Sequence, residues 1–418
     1  MIGPSSPGGI TAAPADPVGG RVRLLLLSLY TTQTLALMFF VAALIAILAE
    51  AGADMDRLTL VYMLGLVWPA KLLWAPLVDR LRFGRAGHYR VWAIIMQAAM
   101  VVILAAMAGF DPLDDFGTVY ALCLALALLS ATQDVAVDGL ACRLLPAGAR
   151  GSGNALQISG GLLGTMAGAG GVLAIYPHLG WPGAMALLAA VTGISLVQLL
   201  AFREPASLTA VIMPPPLRSR LAGLRRPDVL GWTILLLVWP AGSGMAYALI
   251  MPALVEAGWS FERIGLVVNV AGPAAGILGA LATGRLAGGI GRRPALILAA
   301  LVQLAGIAAV AVPVLGPIPE TGDGWLPVVA VCLYFLFYNP GATVMAMVMM
   351  DRASTARPAT DYSLQSTLHA AVGMGSISAG SAIAAAAGAG ATLQAAAAAG
   401  LLALVGAVLL RHPAGERP

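Results

Sequence analysis

Of the 418 residues, 60% are hydrophobic and only 10% are charged, and the mean hydropathy is +0.89. A soluble domain carries about 25% charged residues, so a water-soluble globule is excluded and a polytopic membrane protein is the class that remains. The basic balance, a net charge of +4, comes from arginines scattered among loops and tails, and nucleic acid is therefore not an expected partner.

Residues 1–20 are dominated by Gly, Pro, Ser and Ala with one charge, Asp16, and read as a disordered cytoplasmic tail. The first apolar run is of span length and leads into further spans, so a cleavable signal peptide is not expected. Twelve apolar runs of membrane-crossing length follow, at 22–49, 58–78, 90–109, 117–141, 153–176, 180–202, 229–252, 260–283, 294–314, 325–350, 358–386 and 390–410. The predicted fold class is thus an all-α membrane protein of twelve transmembrane helices in two six-helix bundles. The bundles are 21–203 and 229–411, joined by a Pro- and Arg-rich cytoplasmic linker at 204–228 and followed by a cytoplasmic tail at 412–418.

Basic residues set the expected orientation. With the N-terminus cytoplasmic, every Lys and Arg except Arg57, Arg263 and the intraspan Lys71 falls in a cytoplasmic segment, so both termini are expected in the cytoplasm. The opposite loops are acidic, with Glu50, Asp54, Asp56, Asp111 and Glu256 among them. A weak internal repeat agrees with the six-plus-six division: Asp79-Arg80 and Gly84-Arg85 after the second span are echoed by Gly284-Arg285 and Gly291-Arg292-Arg293 after the eighth. Likewise Arg150 and Gln157 after the fourth span are echoed by Arg357 and Gln365 after the tenth.

Charged and polar side chains at membrane depth are costly and mark function. Asp134 and Asp138 are four residues apart on the fourth span and share a helix face. Asp134 lies about 12 Å from the cytoplasmic end of its helix, and Lys71 on the second span lies at the same depth at 1.5 Å per residue. An ion pair between them accounts for both charges, either within a proton or substrate relay or as a static brace of the first bundle. Asp138, nearer the surface, is expected beside Arg143 and the Asp79-Arg80 loop, either as part of a cytoplasmic gate or in an ordinary snorkelling contact with nearby arginines. On the eleventh span Asp361, Gln365 and His369 recur every four residues; His369 is suited to carry a coupling proton, to donate to an anionic ligand, or to bond across the bundle. Cys123, Cys142 and Cys332 have no repeated spacing and indicate neither a disulfide framework nor a metal site. No HExxH, GxSxG or P-loop pattern occurs, so neither an enzyme nor a nucleotide-driven pump is expected, and no catalytic residue, metal or cofactor is assigned.

The Asp-Arg…Gly-Arg loop after the second span resembles the signature loop of the major facilitator superfamily, although shorter and without its opening glycine. Three blocks, KLLWAPLVDR (71–80), ATQDVAVD (131–138) and ATDYSLQ (359–365), resemble the branch that holds the AmpG muropeptide permeases, acetyl-CoA transporters and inner-membrane siderophore permeases of the FptX/RhtX type. The short linker and the last block, followed by His369, favour the siderophore subgroup. The resemblance implies a proton-coupled symporter in the bacterial inner membrane, working as a monomer, that imports an iron-loaded, pyochelin-like siderophore. A permease for muropeptides or another amphiphilic solute, or a drug exporter, is the alternative. In the superfamily the first, fourth, seventh and tenth spans line the cavity. The resemblance therefore implies a substrate site drawn from Tyr30 and Gln33, Gln133, Trp239 and Tyr247, and Tyr334, Tyr338 and Asn339, with stacking and a few hydrogen bonds holding a flat ligand.

Overall fold

The computed structural model describes residues 18–81, 83, 87–205, 227–316 and 324–410. Most of the expected N-terminal tail, nearly all of the 204–228 linker and the C-terminal tail lie outside these residues. Every regular element among the described residues is helical.

Among the described residues twelve helices follow one another: α1 (Gly20–Glu50), α2 (55–80), α3 (His88–Met107), α4 (Phe116–Leu144), α5 (150–179), α6 (181–201), α7 (Val229–Glu256), α8 (Glu262–Ile290), α9 (Arg292–Leu315), α10 (Trp325–Arg352), α11 (Pro358–Ala387) and α12 (Ala389–Leu409). Among the described residues ten uninterrupted stretches are long and apolar enough to span a bilayer. Two local features raise the number of crossings to twelve. The 55-residue stretch Ala147–Ala201 turns back at Gly180, whose φ of 62° suits a residue without Cβ and which is followed by Pro182. Helix α2 is broken into short pieces by 3₁₀ turns at Leu64–Leu66 and Lys71–Leu73, with Pro69 and Pro76 removing backbone donors.

Helices α1 and α5 run parallel and touch backbone to backbone. A Cβ on Gly160 would sit 2.7 Å from the Leu27 carbonyl and one on Gly164 2.5 Å from that of Thr31, with Gly168 equally tight against Leu35. This four-residue ladder of small side chains is how helices approach closely in lipid, where no hydrophobic force drives them together. In the second half α7 packs on α11 in the same way, through Gly244 and Gly380. Helices α3 and α6, and likewise α9 and α12, pair on the outside, while α5 meets α8 and α4 meets α11 between the halves.

The buried cores are not distributed evenly. One cluster draws on both halves and lies toward the ends that carry the basic loops, with Tyr30, Val137, Trp232, Met347 and Tyr362 among its members. Toward the opposite, acidic end the core splits into one cluster confined to residues 35–188 and another confined to 246–396. The buried core is therefore continuous across the halves at the basic end and divided between them toward the acidic end.

Candidate functional site

Two layers of polar chemistry lie at different depths. The first, nearer the basic end, is built on α4. Lys71 Nζ donates to Asp134 Oδ2, both side chains being buried. The 3₁₀ turn that starts at Lys71 tightens α2 where its side chain meets α4, and Trp74 Nε1 donates to Thr132 Oγ1 at 3.1 Å beside it. Burying two charges is tolerable in lipid only when each meets the other at hydrogen-bond range.

Asp138 departs from the expectation. It is 1% exposed, and its Oδ1 accepts from Tyr30 Oη at 3.2 Å and Gln157 Nε2 at 3.3 Å. Arg143 does not reach it; its guanidinium lies 5.0 Å over the Tyr89 ring. The reason is helical: five residues advance about 140° around the axis, onto a different face. Gln157 in turn accepts from Tyr362 Oη at 2.9 Å, so a hydrogen-bonded chain runs from α1 and α4 through α5 to α11 of the other half.

The basic end is held by two further contacts between halves. Asp79, at the end of α2, accepts from Tyr89 Oη and from the backbone N–H of Thr360 at 2.8 Å, and also from the Thr360 hydroxyl. Its carboxylate thus caps the first turn of α11, where N–H groups lack helical partners and the helix dipole favours an anion. Arg80 beside it is exposed; Arg82, Gly84 and Arg85 lie outside the described residues. Asp351, near the end of α10, is gripped by Arg150 of α5 at 2.7 Å and by Arg292 of α9 at 2.6 Å. Nothing in the sequence alone points to this clamp, because Asp351 is one of several acids on the basic side, with Asp79, Glu204 and Asp361.

The stripe on α11 divides among different tasks. Asp361 faces Arg357 at 3.7 Å and accepts from Ser354 N. Gln365 accepts from Trp232 Nε1 at 2.8 Å and donates to Met349 O. His369 Nδ1 lies 3.0 Å from Leu236 O on α7, and the same residue lines a cavity on its other side.

That cavity, of about 400 Å³, is the second layer. Its wall comes mainly from the second half: Pro240, Ser243, Gly244 and Tyr247 of α7, Val268, Asn269 and Pro273 of α8, Tyr334, Phe335 and Tyr338 of α10, and His369, Ala370, Gly373, Met374 and Ile377 of α11. The first half adds Met38, Leu162 and Thr165. Tyr334 and Tyr338 stack with centroids 5.9 Å apart and planes 6° from parallel, Tyr247 lies 6.0 Å from Tyr334, and Tyr334 Oη donates to Ser243 O. Met38 and Thr165 each border a π-turn, Phe39–Leu44 in α1 and Met166–Gly171 in α5, and Val268 and Asn269 lie within a third, Val267–Ala271 in α8. Such turns concentrate at functional sites because they break the regular ladder locally. Seven or eight residues at 1.5 Å each separate Tyr362 from His369 and Tyr30 from Met38, so the carboxylate layer lies about 10 Å nearer the basic end than the cavity.

Of the residues expected to hold a ligand, the structure brings Tyr247, Tyr334 and Tyr338 to this cavity, and it does not bring the others. Tyr30 is committed to Asp138. Gln133 is fully buried and donates to Leu29 O and Thr32 Oγ1. Trp239 packs against Gly341 and Gln303, and Asn339 against Gly276; each lies about a quarter turn off the lining face of its helix. Gln33 is absent from the lining, its backbone carbonyl accepting from Ser130 Oγ. Ser243, Asn269 and Thr165 went unnoticed in the sequence because single small polar residues on a helix carry no pattern.

Two helical bundles that share a buried core at one end, enclose a cavity between them and cross a membrane many times define a membrane transporter of the two-bundle kind. The sequence matches the Major Facilitator Superfamily over residues 24–376, and the chain belongs to that superfamily. It is 31% identical over 241 residues to the anhydromuropeptide permease of Escherichia coli strain K12, a match covering 56% of this chain and 48% of that protein. It is 29% identical over 245 residues to an uncharacterized protein of Haemophilus influenzae, covering 56% and 57%. The matched region thus spans about half the length of these relatives. Among solved structures the transporter FucP in its outward conformation superposes with a TM-score of 0.68 at 12% identity, covering 93% of this chain and 98% of that one. The human organic anion transporter MFSD10 (TETRAN) superposes with 0.66 at 18%, covering 95% and 100%. These likenesses carry the fold.

Proposed function

We propose that the chain is a proton-driven secondary permease of the bacterial inner membrane that imports a ring-bearing amphiphilic solute of the muropeptide class. The observation that carries this reading is the cavity: a wall of three tyrosines and aliphatic side chains interrupted by Ser243, Asn269, Thr165 and His369, the mixture that binds sugar or peptide faces by stacking and a few directed hydrogen bonds. Similarity to a protein named anhydromuropeptide permease favours this solute over the siderophore. In this reading the basic end is cytoplasmic, by the positive-inside rule, and a buried core continuous at the basic end and divided toward the acidic end marks an outward-facing state. The Lys71–Asp134 pair and Asp138 supply ionisable groups at membrane depth for coupling. His369, the other coupling candidate, serves the ligand wall instead. The protein works as a monomer surrounded by lipid.

A ferric siderophore is the second reading, favoured by one feature: the parallel Tyr334–Tyr338 stack extends naturally to a flat phenolate ligand. Uptake decides between them. Cells lacking their own permeases and carrying this gene are given labelled N-acetylglucosaminyl-anhydro-N-acetylmuramyl peptide, or labelled ferric pyochelin, each with and without a protonophore. Accumulation of the muropeptide that collapses with the protonophore is the expected result. Accumulation of ferric pyochelin alone would transfer the assignment to the siderophore, and full uptake without a proton gradient would remove proton coupling.

A further inference from the structure

Around Lys71 the charges do not balance. Two carboxylates, Asp134 and Asp138, stand one helical turn apart on α4 and face a single ammonium. Asp134 takes that ammonium directly. Asp138, buried at 1% exposure, has only neutral hydrogen-bond donors, the Tyr30 hydroxyl from α1 and the Gln157 amide from α5. The other titratable groups nearby are Cys142 on its own helix and Tyr362 on α11; Arg143 is turned onto Tyr89. With both carboxylates ionised the cluster carries one uncompensated negative charge in the membrane interior, which is expensive. One proton on Asp138 removes it.

The orientation of Gln157 makes that proton legible to the other half of the molecule. An ionised carboxylate can only accept, so it fixes the Gln157 amide with Nε2 toward Asp138 and Oε1 outward, and Oε1 is the atom that accepts from Tyr362 Oη at 2.9 Å. Tyr362 is thereby tied to the first half when Asp138 is charged. Both donors reach Oδ1, so a proton on Oδ2 leaves Oδ1 a weaker, neutral acceptor, and the new O–H, turned toward Gln157, calls for Oε1 rather than Nε2 to face it, which withdraws the acceptor from Tyr362.

We infer that Asp138 is the proton-binding residue of this transporter and that Gln157 relays its charge state to Tyr362, so that protonation releases a contact between the halves at the basic end. This rests on the proton-coupled reading above and deepens it. One proton from the acidic side converts the carboxylate to the acid, the basic end opens, and the same proton leaves to the other side when Asp138 ionises again. Tyr362 and Gln157 are positioning residues in this scheme, acting through Asp138.

The test needs no solute, so its outcome is independent of which solute is carried. Cysteines replacing the exposed Ala147, before α5, and Thr355, before α11, are spin-labelled in full-length protein in which Cys123, Cys142 and Cys332 have been replaced, and the distance between labels is measured in nanodiscs as a function of pH. The background protein should move from a short to a longer distance as pH falls. Asp138→Asn, which mimics the neutral state, should show the longer distance at every pH. Tyr362→Phe, which keeps the acid but removes the reader, should raise the long population at high pH at least several-fold and flatten the pH response. Asp134→Asn should retain a pH response. A background protein with no pH response, or an Asp138→Asn variant that titrates like the background, overturns the inference. Should Asp138→Asn fail to fold, Tyr362→Phe decides alone: an unchanged pH response in that variant overturns the relay.

Discussion

The two halves use the same six-helix plan for different chemistry. In the first half α2 meets α4 through an ion pair, Lys71 with Asp134, and an indole hydrogen bond beside it. The corresponding meeting in the second half, α8 against α10, is made by small residues: Gly272 lies under Phe335, Gly276 under Asn339, and Gly279 under Leu336 and Pro340. The aromatic cavity wall is then built almost wholly from the second half. The buried ion pair within a bundle lies in the first half and the aromatic cavity wall in the second. On the proposed reading, proton and solute are handled by separate halves and must communicate across the interface.

The largest expected effect breaks the charged half. Lys71→Met leaves Asp134 buried without a partner, and removing one member of a buried pair costs about 3–5 kcal/mol. Thermal unfolding of the purified variant should show this loss, and Lys71→Met combined with Asp134→Leu should recover most of the stability. A single variant as stable as wild type would mean that the pair is solvated. Next in size are the helix ladders the halves share. Gly164→Leu against the Thr31 carbonyl and Gly244→Leu against that of Gly373 should each cost about 1–3 kcal/mol by overpacking. Equal losses in the two variants, read by the same melt, would confirm that the scaffold is symmetric although its chemistry is not.

Smaller effects belong to the ligand surface. Tyr338→Ala removes one ring of the stack and should weaken solute binding by about 0.5–1.5 kcal/mol, measured by direct titration, with the pH response of the spin labels unchanged. A binding loss accompanied by an altered pH response would argue against separate handling. The smallest effect lies outside the spans. Glu204, after α6, accepts from the backbone N–H of Arg90 at the start of α3, yet burial raises its carboxyl above the ordinary 4.5 despite that donor and Arg143. Since its folded value is raised, it favours the folded state below the unfolded value, and this contribution fades as pH rises through the folded value. The melting temperature of wild type relative to Glu204→Gln should therefore fall from about pH 4 to pH 7. The group is partly exposed and screened, so the change should stay within about 0.5 kcal/mol.

Most of the architecture was legible in the sequence because bilayer thickness fixes span length and a helix rises by a constant amount. The same constant rise placed Lys71 and Asp134 at one depth. What it does not fix is the rotation of each helix about its own axis. Sequence proximity therefore points Asp138 to Arg143, which stands on another face, while its partners Tyr30 and Gln157 stand on α1 and α5. Rotation also decides that Trp239, Gln133 and Asn339, which the resemblance implies for the substrate site, do not line the cavity. Bulky and amide side chains serve packing as readily as binding, and only the packed bundle tells which face looks inward. The Asp351 clamp needed three helix ends to be brought together, a tertiary fact with no periodic signature.

The most direct test of separate handling compares counterflow with gradient-driven accumulation in the same proteoliposomes, using whichever labelled solute the uptake assay selects. Counterflow needs binding and movement of the loaded carrier but no net proton flux, whereas accumulation driven by an imposed pH gradient needs both. The account predicts that Asp138→Asn keeps counterflow and loses accumulation, while Tyr338→Ala shows reduced affinity in both and still accumulates in response to the gradient. An Asp138→Asn variant that accumulates solute as wild type does, or two variants that lose both activities together, would contradict it.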